Sequence, residues 1–309
     1  MTASILDRIG KTPLVPLPRL APNLFGKCEY LNPGGSGKDR IALAIVDDAE
    51  RRGVLRPGDT LVEATAGNTG LGLALVAAVR GYKLVCVLPA KMSADKRAAL
   101  AAAGAEVIVV PNAPPSSPEN FQHQARRMAR EKNWFLTDQF ANPSNPHIHE
   151  TTTGPEILSQ CGGKVGAFVC GVGTGGTITG VGRFLKRHCP GVKIVLADPV
   201  GSLLANRVDA AHPAVDSAYA VEGIGGSVVP ACCDLSVVDA AERVTDDESF
   251  AAARRLIREE GLLVGGSSGT AVAAALRVAC DGPVVVILAD SWDRYLSRPW
   301  LNHSANGPA

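Results

Sequence analysis

Short apolar runs alternate with amphipathic stretches along nearly the whole chain. KCEYL, TLVE, KLVCVL, EVIVV, WFL, AFVC, KIVLAD and VVVIL have strand length and are apolar at successive positions, as strands covered on both faces are. Between them, apolar positions three and four apart predict helices over residues 39–52, 69–81, 93–104, 117–132, 150–160, 177–188, 246–260 and 270–279. Thr245-Asp246-Asp247-Glu248 has the spacing of a capping box at the start of one of them. The alternation predicts an α/β chain of parallel strands joined by crossover helices. NAPPSSPEN reads as a loop, and the polar residues after Trp300 read as a frayed tail.

In such folds ligands bind beyond the carboxyl ends of strands, where loops lead into helices. Four junctions of this kind carry candidate chemistry. In Asn32-Pro33-Gly34-Gly35-Ser36-Gly37-Lys38-Asp39, three glycines and a proline present one amine. Such a lysine is either a solvated residue of a first helical turn or an amine able to form a Schiff base with a carbonyl compound. A Walker loop is excluded, because Asn32 and Asp39 stand where that pattern needs Gly and Ser or Thr. The second junction, Glu63-Ala64-Thr65-Ala66-Gly67-Asn68-Thr69-Gly70, suits a carboxylate or phosphate at a helix start, or is an ordinary cap. The third, Gly171-Val172-Gly173-Thr174-Gly175-Gly176-Thr177, forms an anion cradle. It also fits the dinucleotide pattern, with Asp198 as its ribose acid, so an NAD-dependent dehydrogenase is a competing reading. The fourth, Gly265-Gly266-Ser267-Ser268-Gly269-Thr270, is a ligand loop or a plain helix start. The dinucleotide reading employs one loop and leaves Lys38 without a task. Pyridoxal phosphate, with one aldehyde, one phosphate and one ring nitrogen, would employ Lys38, the third loop and the fourth.

Composition narrows the partners. Of 309 residues 46% are hydrophobic and 20% charged, and the net charge is +1. There is no basic run to track nucleic acid and no spanning segment or signal peptide in the pattern, so neither nucleic acid nor membrane is an expected partner. Among six histidines only His147 and His149 are close, and no metal site is expected. The eight cysteines include no Cys-x-x-Cys; Cys86 and Cys170 read as small buried hydrophobes, and the vicinal Cys232-Cys233 as incidental. A reduced, cytoplasmic protein is expected.

NPGGSGKDR, EATAGNTG, DQFANPSNP, GVGTGGTITG, EGIGG and GGSSGT occur in the order found in the cysteine synthase and cystathionine β-synthase family, which the chain resembles from IGKTPLVPL to DSWDRYLS. The resemblance implies two doubly wound parallel-sheet domains of the tryptophan-synthase-β type, with pyridoxal 5'-phosphate in the cleft between them. A smaller mobile domain would span residues 39–142, and a larger one residues 1–38 with 143–309. Lys38 would hold the cofactor aldehyde and move the substrate α-proton. Asn68 would meet the ring oxygen, Gly173, Thr174, Gly175, Gly176 and Thr177 the phosphate, and Ser267 the pyridine nitrogen. Thr65, Ala66, Gly67, Thr69, Gln139 and Gly223 would bind the amino-acid substrate. The implied reaction is β-replacement on serine or O-acetylserine by a thiol, with homocysteine or sulfide as acceptor, in a homodimer. GLLVGGSSG, EGIG and TTTGPEILSQCGGK resemble the cystathionine β-synthase branch. Ala66 stands where serine is usual in that branch, and Gly226 where a bulkier residue is frequent. The branch's N-terminal haem-binding extension and C-terminal regulatory module are not expected.

Overall fold

A computed structural model describes residues 4–65, 67–114 and 116–302. Its strands are β1 (Leu14–Pro16), β2 (Leu24–Cys28), β3 (Thr60–Ala64), β4 (Lys83–Pro89), β5 (Glu106–Val110), β6 (Phe135–Leu136), β7 (Ala167–Gly171), β8 (Lys193–Pro199), β9 (Ala240–Val244) and β10 (Val284–Leu288). Its helices are α1 (Lys38–Arg51), α2 (Asn68–Arg80), α3 (Ala94–Ala102), α4 (Phe121–Lys132), α5 (Ser144–Ile148), α6 (Gly154–Gln160), α7 (Gly176–His188), α8 (Asp246–Glu259), α9 (Gly266–Ala275) and α10 (Pro299–Asn302). None of the described helices is long and apolar enough to cross a membrane.

Two compact units divide the chain, one of residues 4–10 and 32–148, the other of residues 11–31 and 149–302. Residues 4–10, 32–38 and 143–148, assigned above to the larger domain, fall in the first unit, where α5 lies against α1.

The first unit is built on a parallel sheet in the order β5-β4-β3-β6. Its central strands are apolar on both faces, and the faces have different partners. Leu61, Leu84, Cys86 and Leu88 pack with Ala42, Val46, Leu73 and Leu100 from α1, α2 and α3. Val62, Ala64, Val85 and Val87 pack with Ala125 and Ala129 of α4. The second unit holds a six-stranded sheet in the order β1-β2-β10-β7-β8-β9, parallel except for the β1–β2 pair. One face, with Val169, Val195 and Val286, meets α8 and α9; the other, with Phe168, Ile194 and Val285, meets α6 and α7.

All eight expected strands are present, but KCEYL is shifted: the strand is Leu24–Cys28, and Glu29–Leu31 form a 3-10 turn. The reason is a buried polar knot. Lys27 is fully buried and donates to the Thr12 carbonyl at 2.5 Å, Glu156 at 2.7 Å and Gln160 at 2.9 Å. Glu29, also buried, accepts from the Thr12 hydroxyl at 2.6 Å. Strand β1 is three residues long with a proline that only an edge tolerates. Strand β9 is the opposite, half-exposed edge, so neither edge carries an apolar run. Helix α4 starts four residues later than expected, because Asn120 caps it by accepting from the Gln122 amide at 3.0 Å. At α8 the Thr245 and Glu248 side chains form the expected capping box.

Helix α9 starts at Gly266, so Gly269 lies inside the helix rather than in a ligand loop. Its bare Cα lets α9 cross α8: a Cβ there would overlap the Ser249 carbonyl and stand 2.6 Å from the Ala253 nitrogen. Gly269→Ala is therefore expected to lower unfolding stability by about 1–3 kcal/mol, as overpacking does. Urea denaturation checks this, with the methyl accommodated at no cost as the contrary result.

Candidate active site

Helix beginnings differ across the molecule. Helices α3, α4 and α8 are capped by the side chains of Ser93, Asn120 and Thr245. By contrast α1, α2, α7 and α9 start after Gly37, Gly67, Gly175 and Gly265, with no side-chain cap. These four starts are the four junctions singled out in the sequence. A helix start whose N-cap residue offers no side chain leaves room for an anion there. Helix α6 also starts without a side-chain cap, on Thr153, whose hydroxyl is hydrogen-bonded to His149.

Lys38 is the first residue of α1 and is partly buried. The loop before it is shaped by its own backbone. The Gly35 amide donates to the Asn32 carbonyl at 2.8 Å, and Gly35 has a φ of 78°. Asp39, buried in the first turn, accepts from the Gly34 amide at 2.5 Å. A Cβ at Gly34 would fall on that carboxylate. The Ser36 hydroxyl accepts from the Lys38 amide at 3.2 Å.

At the second junction Thr65 is buried, and its hydroxyl accepts from the Gly67 amide at 3.3 Å. Ala66 lies outside the described residues. Asn68 and Thr69 open α2, and Gly70 lets this turn pack closely on α3 and β4, since a Cβ there would be 2.6 Å from the Leu100 side chain and 3.2 Å from the Cys86 sulfur. The structure brings Gln139 to this loop: the Thr69 hydroxyl donates to the Gln139 carboxamide oxygen. Gln139 is held in turn by Glu63, which accepts from its backbone amide at 3.1 Å and from its side-chain nitrogen at 3.4 Å. Thr137 also donates to Glu63. Burial pushes the Glu63 carboxyl up to about 7 despite these donors.

In the second unit the third and EGIGG loops interlock. Gly173 lies so close to Gly223 that a Cβ would overlap the Gly223 carbonyl, and the Gly225 amide donates to the Val172 carbonyl at 2.8 Å. Gly175 has a φ of 85° and rests against Cys233. The Cys233 thiol is pushed up to about 11 by burial and by Asp234, so it stays neutral and acts as packing. Thr174 is buried beside these glycines, and Gly176 is the first residue of α7. Thr177 is tied to His149: its hydroxyl lies 3.2 Å from Nε2, while Nδ1 lies 2.9 Å from the Thr153 hydroxyl. Both ring nitrogens of His149 are thus engaged with hydroxyls. The only sequence signal for His149 was its proximity to His147. At Gly226 a Cβ would make only an ordinary contact, 3.9 Å from the Val228 carbonyl oxygen, so the missing side chain is not demanded by packing.

Ser267, in the first turn of α9, is 8% exposed. Its neighbours are committed: Ser268 accepts from the Ala289 amide at 3.1 Å, and Thr270 donates to Ser249 at 2.8 Å. Among the described residues the Ser267 hydroxyl makes no hydrogen bond, which leaves it for a ligand.

The profile of the family described as pyridoxal-phosphate dependent enzyme matches residues 5–290. The chain belongs to that family. It is 49% identical to cystathionine beta-synthase of Rattus norvegicus over 306 residues, covering 95% of this chain and 54% of that protein. It thus spans about half the length of that relative. It is 41% identical to cysteine synthase of Staphylococcus aureus over 306 residues, covering 96% of each. The crystal structure of O-ureido-L-serine synthase superposes with a TM-score of 0.90 at 39% identity, covering 100% of this chain and 98% of that one.

The residues fit the family's cofactor. They offer a lysine amine, uncapped helix amides beside close-approaching glycines, and a neutral hydroxyl without a protein partner. The dehydrogenase reading is corrected. Asp198 is fully buried at the end of β8 and accepts from the Ala205 amide at 2.8 Å, so it closes its own turn rather than meeting a ribose.

Gly175→Ala would place a methyl in the Cys233 side chain at a left-handed φ, a strain of about 1–3 kcal/mol. The expected result is a folded protein whose pyridoxal phosphate affinity falls about tenfold, which corresponds to 1.4 kcal/mol. A fluorescence titration with the cofactor reads it, and unaltered affinity would contradict the assignment of this loop.

Proposed function

We propose that the chain catalyses β-replacement on serine or O-acetylserine, with homocysteine as the incoming thiol and cystathionine as product. The observation that supports this most is the 49% identity to a cystathionine beta-synthase over 95% of the chain. A cysteine synthase reading, with sulfide as acceptor, draws support from the relative matched over 96% of its length.

Pyridoxal phosphate, when bound, supplies the sink for the electron pair released at the substrate α-carbon. In this proposal Lys38 Nζ holds the cofactor aldehyde before substrate arrives and afterwards takes the α-proton. Gly173, Thr174, Gly175, Gly176 and Thr177 bind the phosphate through the start of α7, and Asn68 meets the ring oxygen. Ser267 turns its hydroxyl to the pyridine nitrogen; being neutral, it does not hold a proton there as a carboxylate would. Thr65, Gly67, Thr69 and Gln139 bind the carboxylate and amine side of the substrate, and Gly223 lines its path. Ala66 belongs to the same loop in this proposal and lacks the hydroxyl that a serine would add. The working protein is proposed to be a homodimer acting on small molecules.

Lys38→Ala is expected to reduce turnover to background while the chain remains folded by circular dichroism. Near-normal β-replacement in that variant would end the proposal.

A nucleophile screen decides the acceptor. L-serine and O-acetyl-L-serine are each offered homocysteine, sulfide and hydroxyurea, and products are read by mass. Cystathionine at the highest kcat/KM supports the first reading, and cysteine the second. O-ureidoserine as the main product would overturn both and align the chain with its structural neighbour.

A further inference from the structure

Glu63 carries no role in the functions considered so far. It is buried on β3, and among the described residues no salt bridge reaches it. Its three donors are specific. One oxygen accepts from the Thr137 hydroxyl and the Gln139 backbone amide, the other from the Gln139 side-chain nitrogen. An ionised carboxylate only accepts, so it forces the Gln139 carboxamide to turn its nitrogen inward and its oxygen towards Thr69. The Thr69 hydroxyl then spends its single proton on Gln139 and meets a ligand with lone pairs.

We propose that Glu63 is a positioning residue that sets, through Gln139, whether the Thr69 hydroxyl accepts from or donates to the amino-acid ligand. This rests on the β-replacement reading, in which Thr69 meets that ligand.

The backbone amide of Gln139 cannot turn and always needs an acceptor at its carboxyl oxygen. A proton on that oxygen would oblige Thr137 to turn its hydroxyl to the Val62 carbonyl, at 3.3 Å, and would weaken the acceptor of the amide, whereas a proton on the other oxygen, which faces the Gln139 side chain, keeps both donors served. The carboxamide must then turn its oxygen to Glu63 and its nitrogen to Thr69. That releases the Thr69 proton for a carboxylate. Glu63→Gln imposes the same arrangement at every pH, because its nitrogen can occupy only the side facing the carboxamide.

The surroundings favour proton uptake near neutrality. Burial is the main cause that brings the Glu63 carboxyl to about 7, and the Asp138 charge adds to it. On β4 the facing group is Cys86, whose own thiol is pushed up to about 12 and stays neutral. Asp138 follows β6, and its partner on α4 is Arg126 at 3.3 Å. Because the folded value lies above the ordinary 4.5, Glu63 contributes stability below that value and loses it as pH rises through about 7.

The test uses the holoenzyme with whichever donor, L-serine or O-acetyl-L-serine, the nucleophile screen finds better used, between pH 6 and 8.5. In the unmodified protein the donor KM is expected to rise with pH about fivefold, the size of one hydrogen bond, beyond the change in kcat. In Glu63→Gln that rise is absent and KM keeps its low-pH value. Independently of activity, the unfolding temperature of the unmodified chain relative to Glu63→Gln is expected to fall between pH 4.5 and 7. Turnover with the same KM profile in both proteins overturns the inference and leaves the β-replacement reading intact. Absence of turnover in the unmodified holoenzyme overturns both. If Glu63→Gln does not fold, Thr137→Val decides: removing a donor to the carboxylate must move the KM midpoint to higher pH, and an unmoved midpoint overturns the inference.

Discussion

An uncapped helix start is the constraint on which the rest of this molecule depends. A side-chain cap fills the first turn of a helix and satisfies its amides. A glycine before that turn provides no side-chain cap and lets other backbone come close. Lys38, Asn68, Gly176 and Ser267 all stand in first turns of this kind. Each follows a glycine, and each belongs to a different helix. Elsewhere Ser93, Asn120 and Thr245 close the first turns in the ordinary way. The chain thus has two kinds of helix start, one closed by a side-chain cap and one preceded by a glycine.

Close backbone approach is the companion of that choice. Gly173 against Gly223 and Gly175 against Cys233 hold the third loop from outside. Thr177 and Thr153 are pinned through one histidine whose two nitrogens are both used. The vicinal cysteines, which invite a redox reading, have at Cys233 a thiol kept neutral by burial and placed as a wall of the loop.

Buried charge is arranged in two ways. Lys27 is met by Glu156, Gln160 and a carbonyl, and this satisfied network shifts the end of a strand. Glu63 has neutral donors only, so its ionised form is less well supported and its proton affinity rises. The first network is a fixed structural joint, whereas the second can change state near neutral pH. That difference is why Glu63, and not Lys27, carries the proposed link to ligand binding.

The sequence by itself determined the α/β class, the eight apolar strands apart from the bounds of β2, and four glycine-led helix starts, because these rest on local patterns of apolar residues, glycines and hydroxyls. It also supported the family, through six short motifs in order. Edge strands β1 and β9 were not legible, since half-exposed edges need no apolar run. Nor was the start of β2, because Lys27 and Glu29 look like surface residues until Thr12, Glu156 and Gln160 are brought to them. Asp198 looked like a ribose ligand until burial turned it onto the Ala205 amide. Glu63 stood in a marked junction and His149 beside His147, but neither position told its role: Gln139 lies 76 positions from Glu63, and Thr177 lies 28 from His149. Hydrogen-bond polarity and proton affinity depend on which groups meet in space and on how much water is excluded. Only the tertiary structure decides those.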